Sequence, residues 1–245
     1  MMPLRRLLRE AARCVLAGPS LASMGRRLAF APLRLWLTNP RRALLFVAVR
    51  PYTMLPYKRL SKLAELADEC NQKRIPGAFV QCGVWKGGSA AVLAALAGDR
   101  QVELFDTFDG CPEPSPKDIS VHGRLGQAGE AKAGIHFVLD LLHRLGLTSP
   151  KIRVHLGHIE STVPLWVGEI GPIALLHLDC DWYQSTKVCM SKLYPETAVG
   201  GYVFADDAGY WPASREAIDA FFLMRGLDAP LLTWVDHTGT FWKKT

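Results

Sequence analysis

Two acidic clusters, each following a short apolar run, are the residues of this chain best suited to chemistry. Asp179 and Asp181 follow residues 173–177, and Asp206 and Asp207 follow residues 201–203. Short apolar runs bounded by Gly or Pro are typical of buried parallel strands. Unpaired carboxylates are too costly inside such a sheet, so we expect all four at the carboxyl ends of the strands, where open α/β sheets bind ligands. Converging carboxylates repel one another, which favours a hard, oxygen-seeking cation such as Mg²⁺ between them.

A glycine-containing turn follows the first predicted strand, residues 78–82, and precedes an alanine-rich helix over residues 90–97. Backbone N–H groups of a strand–turn–helix unit can approach an anionic ligand group. The spacing is GxxxGG, beginning at Gly83, and it differs from the GxGxxG fingerprint of dinucleotide-binding proteins. Asp106 ends the next predicted strand, where an acid commonly accepts hydrogen bonds from ribose hydroxyls. Together these features predict a nucleoside cofactor, and the sequence offers no second phosphate-binding element, which favours S-adenosylmethionine over NAD.

The elements that must position these residues alternate between strand and helix. Further strands are predicted over residues 102–106 and 152–156, and residues 231–235 and 240–243 predict a closing hairpin. Helices are predicted over residues 57–71, 135–145 and 213–224 and near 185–193. Residues 109–129 form a Pro- and Gly-rich stretch, long enough to indicate a lid or a binding loop. The alternation predicts a doubly wound α/β sheet.

Composition is that of a globular protein with room for one α/β domain and an extension. The chain has 245 residues, 49% hydrophobic and 21% charged, and it contains no apolar run of 18 residues, so we expect no membrane span. The six cysteines show neither a CxxC pair nor the spacing of a metal finger. We therefore expect reduced thiols and a cytoplasmic location.

The positive charge of the chain is concentrated in an N-terminal arm, residues 1–50, which we separate from a domain over residues 51–245. The arm contains ten arginines, no lysine and a single acid, Glu10, whereas the rest of the chain is mildly acidic. Leucines and alanines at helical spacing predict a basic amphipathic helix over residues 4–15. Three interpretations remain open: a helix packed on the domain or at a dimer contact, peripheral attachment to an anionic membrane surface, and an organelle presequence. Nucleic acid is not expected, because the arginines lack interleaved aromatic residues.

Four segments of the chain resemble the motifs of the macrocin O-methyltransferase family. They are residues 76–89 (PGAFVQCGVWKGGS), 104–110 (LFDTFDG), 178–187 (LDCDWYQSTK) and 203–207 (VFADD). The resemblance extends from about residue 52 to 242, and the four motifs together are specific. It implies a Rossmann-like class I methyltransferase with a mostly parallel seven-stranded sheet. Such enzymes use S-adenosylmethionine and Mg²⁺ to methylate sugar hydroxyls of natural products.

The resemblance also implies roles for individual residues in binding the cofactor. Gly83 and Ser89 would border its methionine part, which Thr53 and Met54 would cover, and Asp106 would bind the ribose. Gly157, His158 and Ile159 would line the adenine pocket. The remaining positions implied to bind the cofactor are Gln81, Trp85 and Asp179. The family usually has Glu at the position of Gln81, so the lost charge predicts weaker cofactor binding.

Metal binding and catalysis are assigned to the four aspartates in the same way. Asp179, Asp206 and Asp207 would bind Mg²⁺, and Asp181 would be the general base for the acceptor. His177 is expected on the other side of its strand from Asp179; if the strand is regularly pleated, it lies instead on the same face, beneath the metal. Four aromatic residues follow the acidic clusters and form either an acceptor platform or a cap on the core: Trp182, Tyr183, Tyr210 and Trp211.

The expected function is methyl transfer to a hydroxyl of a sugar, a glycosylated natural product or a polysaccharide, with Mg²⁺ chelating the acceptor diol. One alternative is a catechol-type small-molecule O-methyltransferase, whose two hydroxyls would chelate the metal equally well. Another is a catalytically weakened, membrane-associated protein that only binds the cofactor. The partner is accordingly a small-molecule or glycan acceptor, and a homo-oligomer is left open.

Overall fold

A seven-stranded sheet forms the centre of the computed structural model, which describes residues 2–17, 25 and 27–245. The strands are β1 (Ala78–Cys82), β2 (Val102–Asp106), β3 (Ile152–Leu156), β4 (Ile173–Leu178), β5 (Thr197–Ala205), β6 (Thr233–Trp234) and β7 (Thr240–Lys243). Their order is β3-β2-β1-β4-β5-β7-β6. The first five strands are parallel, and β7 is antiparallel to both β5 and β6. The predicted mostly parallel sheet and its closing hairpin are confirmed, although β6 is shorter than predicted.

Helices cover both faces of the sheet. They are α1 (Leu4–Leu16), α2 (Leu33–Thr38), α3 (Pro40–Val49), α4 (Tyr57–Gln72), α5 (Gly88–Leu96), α6 (His136–Leu145), α7 (Ile159–Ile170), α8 (Tyr183–Lys192) and α9 (Pro212–Met224). Neighbouring residues of β1 point to opposite faces, so Phe79 packs under α4 to α6 while Val80 packs under α7 to α9. This two-sided burial explains why the parallel strands are apolar throughout.

The N-terminal helix α1 packs on the body of the protein. Its residues Leu7, Ala11 and Cys14 are buried, and Glu10, also buried, forms an ion pair of 3.2 Å with Arg144. The packed helix among the three interpretations is therefore observed, and apolar residues before and after position 50 share one core. Within the described residues, no helix combines the length and apolar character needed to cross a membrane. Residues 1, 18–24 and 26 of the predicted arm lie outside the described residues.

The loop between β2 and α6 is fastened to the rest of the fold by buried polar contacts. Asp118 is 2% exposed and accepts hydrogen bonds from Ser115 and from the backbone N–H of Tyr183. The indole N–H of Trp182 donates to the carbonyl of Pro112 at 2.9 Å. The Pro- and Gly-rich segment is thus an ordered wall of the structure beside the carboxyl ends of the strands.

Candidate active site

A cavity of about 340 Å³ opens at the carboxyl ends of β1, β2, β4 and β5, where the sequence places its acidic clusters. Most of the predicted cofactor and metal positions line this cavity: Thr53, Met54, Gly83, Trp85, Ser89, Asp106, His158, Ile159, Asp179, Asp181, Asp206 and Asp207. Gln81 and Gly157 do not line it. The loop after β2 contributes Arg124 and Glu130 to the opposite wall.

Close approach of β1 and β4 at the floor of the cavity requires glycine at position 83. Gly83 has a φ of +88°, and a Cβ atom placed there would lie 1.7 Å from the backbone oxygen of Asp179. No side chain fits at such a distance. The glycine turn and the first acidic cluster are therefore held side by side by backbone packing.

The carboxylate of Asp106 holds the glycine turn in place. One of its oxygens accepts the backbone N–H groups of Val84 and Trp85, at 2.6 and 2.9 Å, and the other accepts the N–H of Phe108 at 2.6 Å. Trp85 and Phe108 both have positive φ angles, 51° and 56°, which these hydrogen bonds help to maintain. The sequence predicted a ribose-binding role for Asp106, which stays a prediction; its support of the turn was not predicted.

Gln81 supports the same turn from below. Its side-chain N–H group donates to the carbonyl of Gly83 at 2.7 Å and to the hydroxyl of Ser89 at 2.8 Å. The side chain is fully buried, and its Oε1 atom has no hydrogen-bond partner among the described residues. A glutamate could not donate to the carbonyl of Gly83, so the amide has a structural use at this position.

Three carboxylates meet above the ends of β4 and β5. Asp179, Asp181 and Asp207 each place one oxygen within 4.8 Å of the others. Burial and the nearby Asp207 carboxylate raise the pKa of Asp179 and of Asp181 well above the usual range. Asp181 also has a φ of 55°, a left-handed conformation that Asp tolerates better than most residues and that is common at functional sites.

Asp206, the remaining predicted metal ligand, lies beside this cluster and is paired with an arginine. Its side chain is almost fully buried, and its Oδ2 atom accepts a hydrogen bond of 2.5 Å from Nη1 of Arg59. Its Oδ1 atom has no hydrogen-bond partner among the described residues. Arg59 lies on α4, far from the acids in sequence, and no local motif identified it as a site residue.

His177 lies beneath the cluster, on the face that regular pleating of β4 gives it and not on the other side of the strand. Its Nε2 atom is 4.0 Å from a carboxylate oxygen of Asp179, and its ring packs against Phe204. Burial, with a smaller contribution from the charge of Arg59, lowers the pKa of His177 to about 3. The ring is therefore neutral at pH 7, and neither of its nitrogens has a hydrogen-bond partner among the described residues.

The four aromatic residues divide between the core and the cavity. Tyr210 and Trp211 line the cavity, and the guanidinium group of Arg124 lies 5.4 Å from the ring centre of Trp211. Trp182 is 1% exposed and packs edge-on against Trp211. Tyr183 is not among the lining residues. Only two of the four could therefore contact an acceptor.

The residues present fit both a divalent cation and a nucleoside cofactor. The donor set of Asp179, Asp181 and Asp207 consists of carboxylate oxygens, the ligands that Mg²⁺ prefers, and the neighbouring Asp206 has a buried Oδ1 atom without a hydrogen-bond partner among the described residues. The cavity has the size of a small-molecule site and is bordered by a strand–turn–helix unit.

Comparisons with known proteins agree with this geometry. The family Macrocin-O-methyltransferase (TylF) matches residues 46–244. The chain is 28% identical to demethyldecarbamoylnovobiocin O-methyltransferase of Streptomyces niveus, covering 79% of this chain and 76% of the relative. It is 30% identical to 8-demethyl-8-(2,3-dimethoxy-alpha-L-rhamnosyl)-tetracenomycin-C 4'-O-methyltransferase of Streptomyces olivaceus, with the same coverage of both chains. Among solved structures, the O-methyltransferase NovP superposes with a TM-score of 0.72 at 27% identity, covering 79% of this chain and 82% of NovP.

Proposed function

This chain belongs to the macrocin O-methyltransferase family, and we propose that it methylates a hydroxyl of a sugar, in a glycosylated natural product or a polysaccharide. That it is an O-methyltransferase follows from the family and from its named relatives. One observation carries the proposed site of transfer: a single cavity places four aspartates beside the glycine turn. The acceptor and the cofactor can therefore meet at one point.

The cofactor half of the cavity is formed by the glycine turn and the segments around it. S-adenosylmethionine, when bound, supplies the methyl group and leaves as S-adenosylhomocysteine. Thr53 and Met54 cover its methionine part, and Asp106 accepts hydrogen bonds from its ribose with lone pairs that the turn leaves available. His158 and Ile159 line the adenine end of the cavity. Gln81 and Gly157 lie outside the cavity lining and support the backbone beside the cofactor.

The acidic half of the cavity orients and activates the acceptor. Asp179, Asp206 and Asp207 would hold Mg²⁺, which would supply Lewis-acid chemistry to an acceptor diol and favour loss of a hydroxyl proton. Asp181 accepts the proton that this hydroxyl loses. A cation beside Asp181 offsets the repulsion from Asp207 and so favours the ionised base. His177, neutral and buried, supports Asp179 from below.

The acceptor half of the cavity suits a sugar. Tyr210 and Trp211 line this part of the cavity, and sugar rings stack on aromatic side chains. Arg124 and Glu130, which form an ion pair with each other, lie at the same wall. The novobiocin, tetracenomycin and mycinamicin relatives are named for glycosylated natural products. An acceptor of that class fits the lining better than a flat catechol, which needs no polar partners beyond the metal.

The location that we propose is cytoplasmic, with peripheral contact between the arm and an anionic membrane. All six cysteines are free in the structure, as a reducing compartment requires. The leucine stripe of α1 is divided: Leu7 is buried, whereas Leu4 and Leu8 are 41% and 47% exposed beside Arg5 and Arg9. This exposed strip of leucine and arginine is the surface that would contact lipid.

Methyl transfer to a panel of acceptors tests the proposal. Rhamnosylated polyketides, a bacterial polysaccharide and a catechol are each incubated with S-adenosylmethionine, with Mg²⁺ or with excess chelator, and methylation is measured by mass spectrometry. We expect Mg²⁺-dependent methylation of a sugar hydroxyl and none in Asp179→Asn. Exclusive methylation of the catechol would contradict the acceptor class, and full turnover in chelator would contradict the metal.

A further inference from the structure

We propose that Arg59 is a positioning residue for the metal ligands, an inference that rests on the proposed function. Its guanidinium group lies among three carboxylates at the edge of the cavity. It holds the Oδ2 atom of Asp206 and leaves Oδ1, the unpartnered oxygen, to bind the cation. Arg59 also lines the cavity, and in this arrangement it acts on the cation through Asp206.

The contacts of Arg59 divide between two sides of its planar group. Nη1 lies 2.5 Å from Oδ2 of Asp206 and 3.8 Å from Oδ1 of Asp207. The same nitrogen donates to the backbone oxygen of Asp206 at 3.2 Å. Nε forms an ion pair of 3.1 Å with Asp236 that lacks hydrogen-bond geometry, and the Arg59 side chain is only 14% exposed. The planar guanidinium group thus donates a hydrogen bond to Asp206 on one side and holds Asp236 by charge on the other.

Asp236 anchors this arrangement to the hairpin of β6 and β7. One of its oxygens accepts the backbone N–H groups of Thr238 and Gly239, at 2.9 and 2.8 Å, and the other pairs with Arg59. A Cβ atom on Gly239 would lie 2.6 Å from Cδ of Arg59, so the arginine stem packs directly on the hairpin backbone. The hairpin in turn pairs with β5, the strand that delivers Asp206. The arginine is therefore fixed from behind.

Two roles for Arg59 predict opposite changes in metal affinity. If Arg59 only offsets negative charge, its removal makes the cluster more negative and strengthens Mg²⁺ binding, while lysine replaces it fully. If Arg59 positions Asp206, its removal leaves a buried carboxylate free to turn away, and lysine, a point charge without a planar fork, is an incomplete substitute. The double pairing to Asp206 and Asp236 favours positioning.

Calorimetric titration with MgCl₂ in the presence of saturating S-adenosylhomocysteine distinguishes these roles. The variants are Arg59→Ala, Arg59→Lys and Asp236→Asn, with Lys58→Ala as the matched control, because Lys58 is the preceding residue of α4 and is exposed. We expect Mg²⁺ affinity to fall about tenfold or more in Arg59→Ala and about threefold or more in Arg59→Lys and Asp236→Asn. Lys58→Ala should match the wild type.

Two further outcomes separate this inference from the proposed function. Unchanged or stronger Mg²⁺ binding in Arg59→Ala and Arg59→Lys would overturn the positioning role while leaving the metal site intact. A wild-type protein that binds no Mg²⁺ would overturn the proposed metal and the inference together. If Arg59→Ala does not fold, Arg59→Lys decides the question, since it retains the positive charge and removes only the planar group.

Discussion

Substitution of Asp106 should have two effects that can be measured separately, one on the stability of the protein and one on cofactor binding. In Asp106→Ala the turn loses all three backbone hydrogen bonds to the carboxylate. Hydrogen bonds to charged groups contribute about 1.5–3 kcal/mol each. Asp106 is only partly buried, and water can replace part of this contribution, so we expect a loss of roughly 3–6 kcal/mol in the free energy of unfolding. That is a large share of the about 5–15 kcal/mol typical of a domain.

Asp106→Asn removes only part of this support. The asparagine oxygen can accept either the N–H groups of Val84 and Trp85 or that of Phe108, but its amide nitrogen cannot accept the others. We expect a loss of roughly 1.5–3 kcal/mol in urea unfolding. If Asp106 also binds the ribose, calorimetry should show at least about tenfold weaker S-adenosylhomocysteine binding in the folded Asp106→Asn protein.

The control for both measurements is Asp109→Asn, an acid of the same segment whose side chain is 78% exposed. It should change neither the urea midpoint nor the cofactor affinity. Lower stability with unchanged affinity in Asp106→Asn would refute the ribose assignment and keep the role in the turn. An unchanged urea midpoint in Asp106→Ala would refute the structural reasoning itself.

Three further predictions test the base, the departure at Gln81 and the arm. Asp181→Asn should lose at least about a hundredfold in turnover and keep its Mg²⁺ affinity in calorimetry; lost Mg²⁺ binding would make it a ligand. Gln81→Glu should be less stable to urea by about 1–3 kcal/mol, because the hydrogen bond to the carbonyl of Gly83 is replaced by repulsion between two oxygens. The same variant should bind cationic S-adenosylmethionine more tightly. Unchanged stability would contradict the structural role of the Gln81 amide. Arg5→Ser with Arg9→Ser should weaken cosedimentation with anionic vesicles by about tenfold or more and leave neutral vesicles unaffected; equal binding would exclude lipid contact there.

Most of the sheet could be predicted because its strands are buried on both faces and are interrupted by clear turns. The predicted limits of β1, β2 and β3 agree with the structure. Helix α7 was missed, since Pro164 inside it is ordinarily a signal that a helix ends. The chain accommodates this proline in the second turn, where packing of Val163 on the sheet compensates for the lost backbone hydrogen bond.

Some residues of the candidate site could be predicted from the nearby sequence, whereas others depend on contacts between distant parts of the chain. Asp179, Asp181, Asp206 and Asp207 could be placed from the sequence because each follows a strand, and parallel strands end at one edge. The position of an acid relative to its own strand is a local property. The three cations on one stretch of α4 illustrate the limit: Lys58, Arg59 and Lys62 look equivalent in the sequence.

These three side chains have different surroundings only once the sheet has formed. β7 lies beside β5, so the hairpin carries Asp236 to the far side of the strand that ends at Asp206. Arg59 then fills the gap between two carboxylates, whereas Lys62 pairs with the exposed Glu65 on its own helix. The positions of the aspartates thus depend on where the strands end. The position of the arginine that neutralises them depends on which strands are neighbours in the sheet. Arg59→Ala should therefore lower the affinity for Mg²⁺ strongly, whereas Lys62→Ala should leave that affinity unchanged.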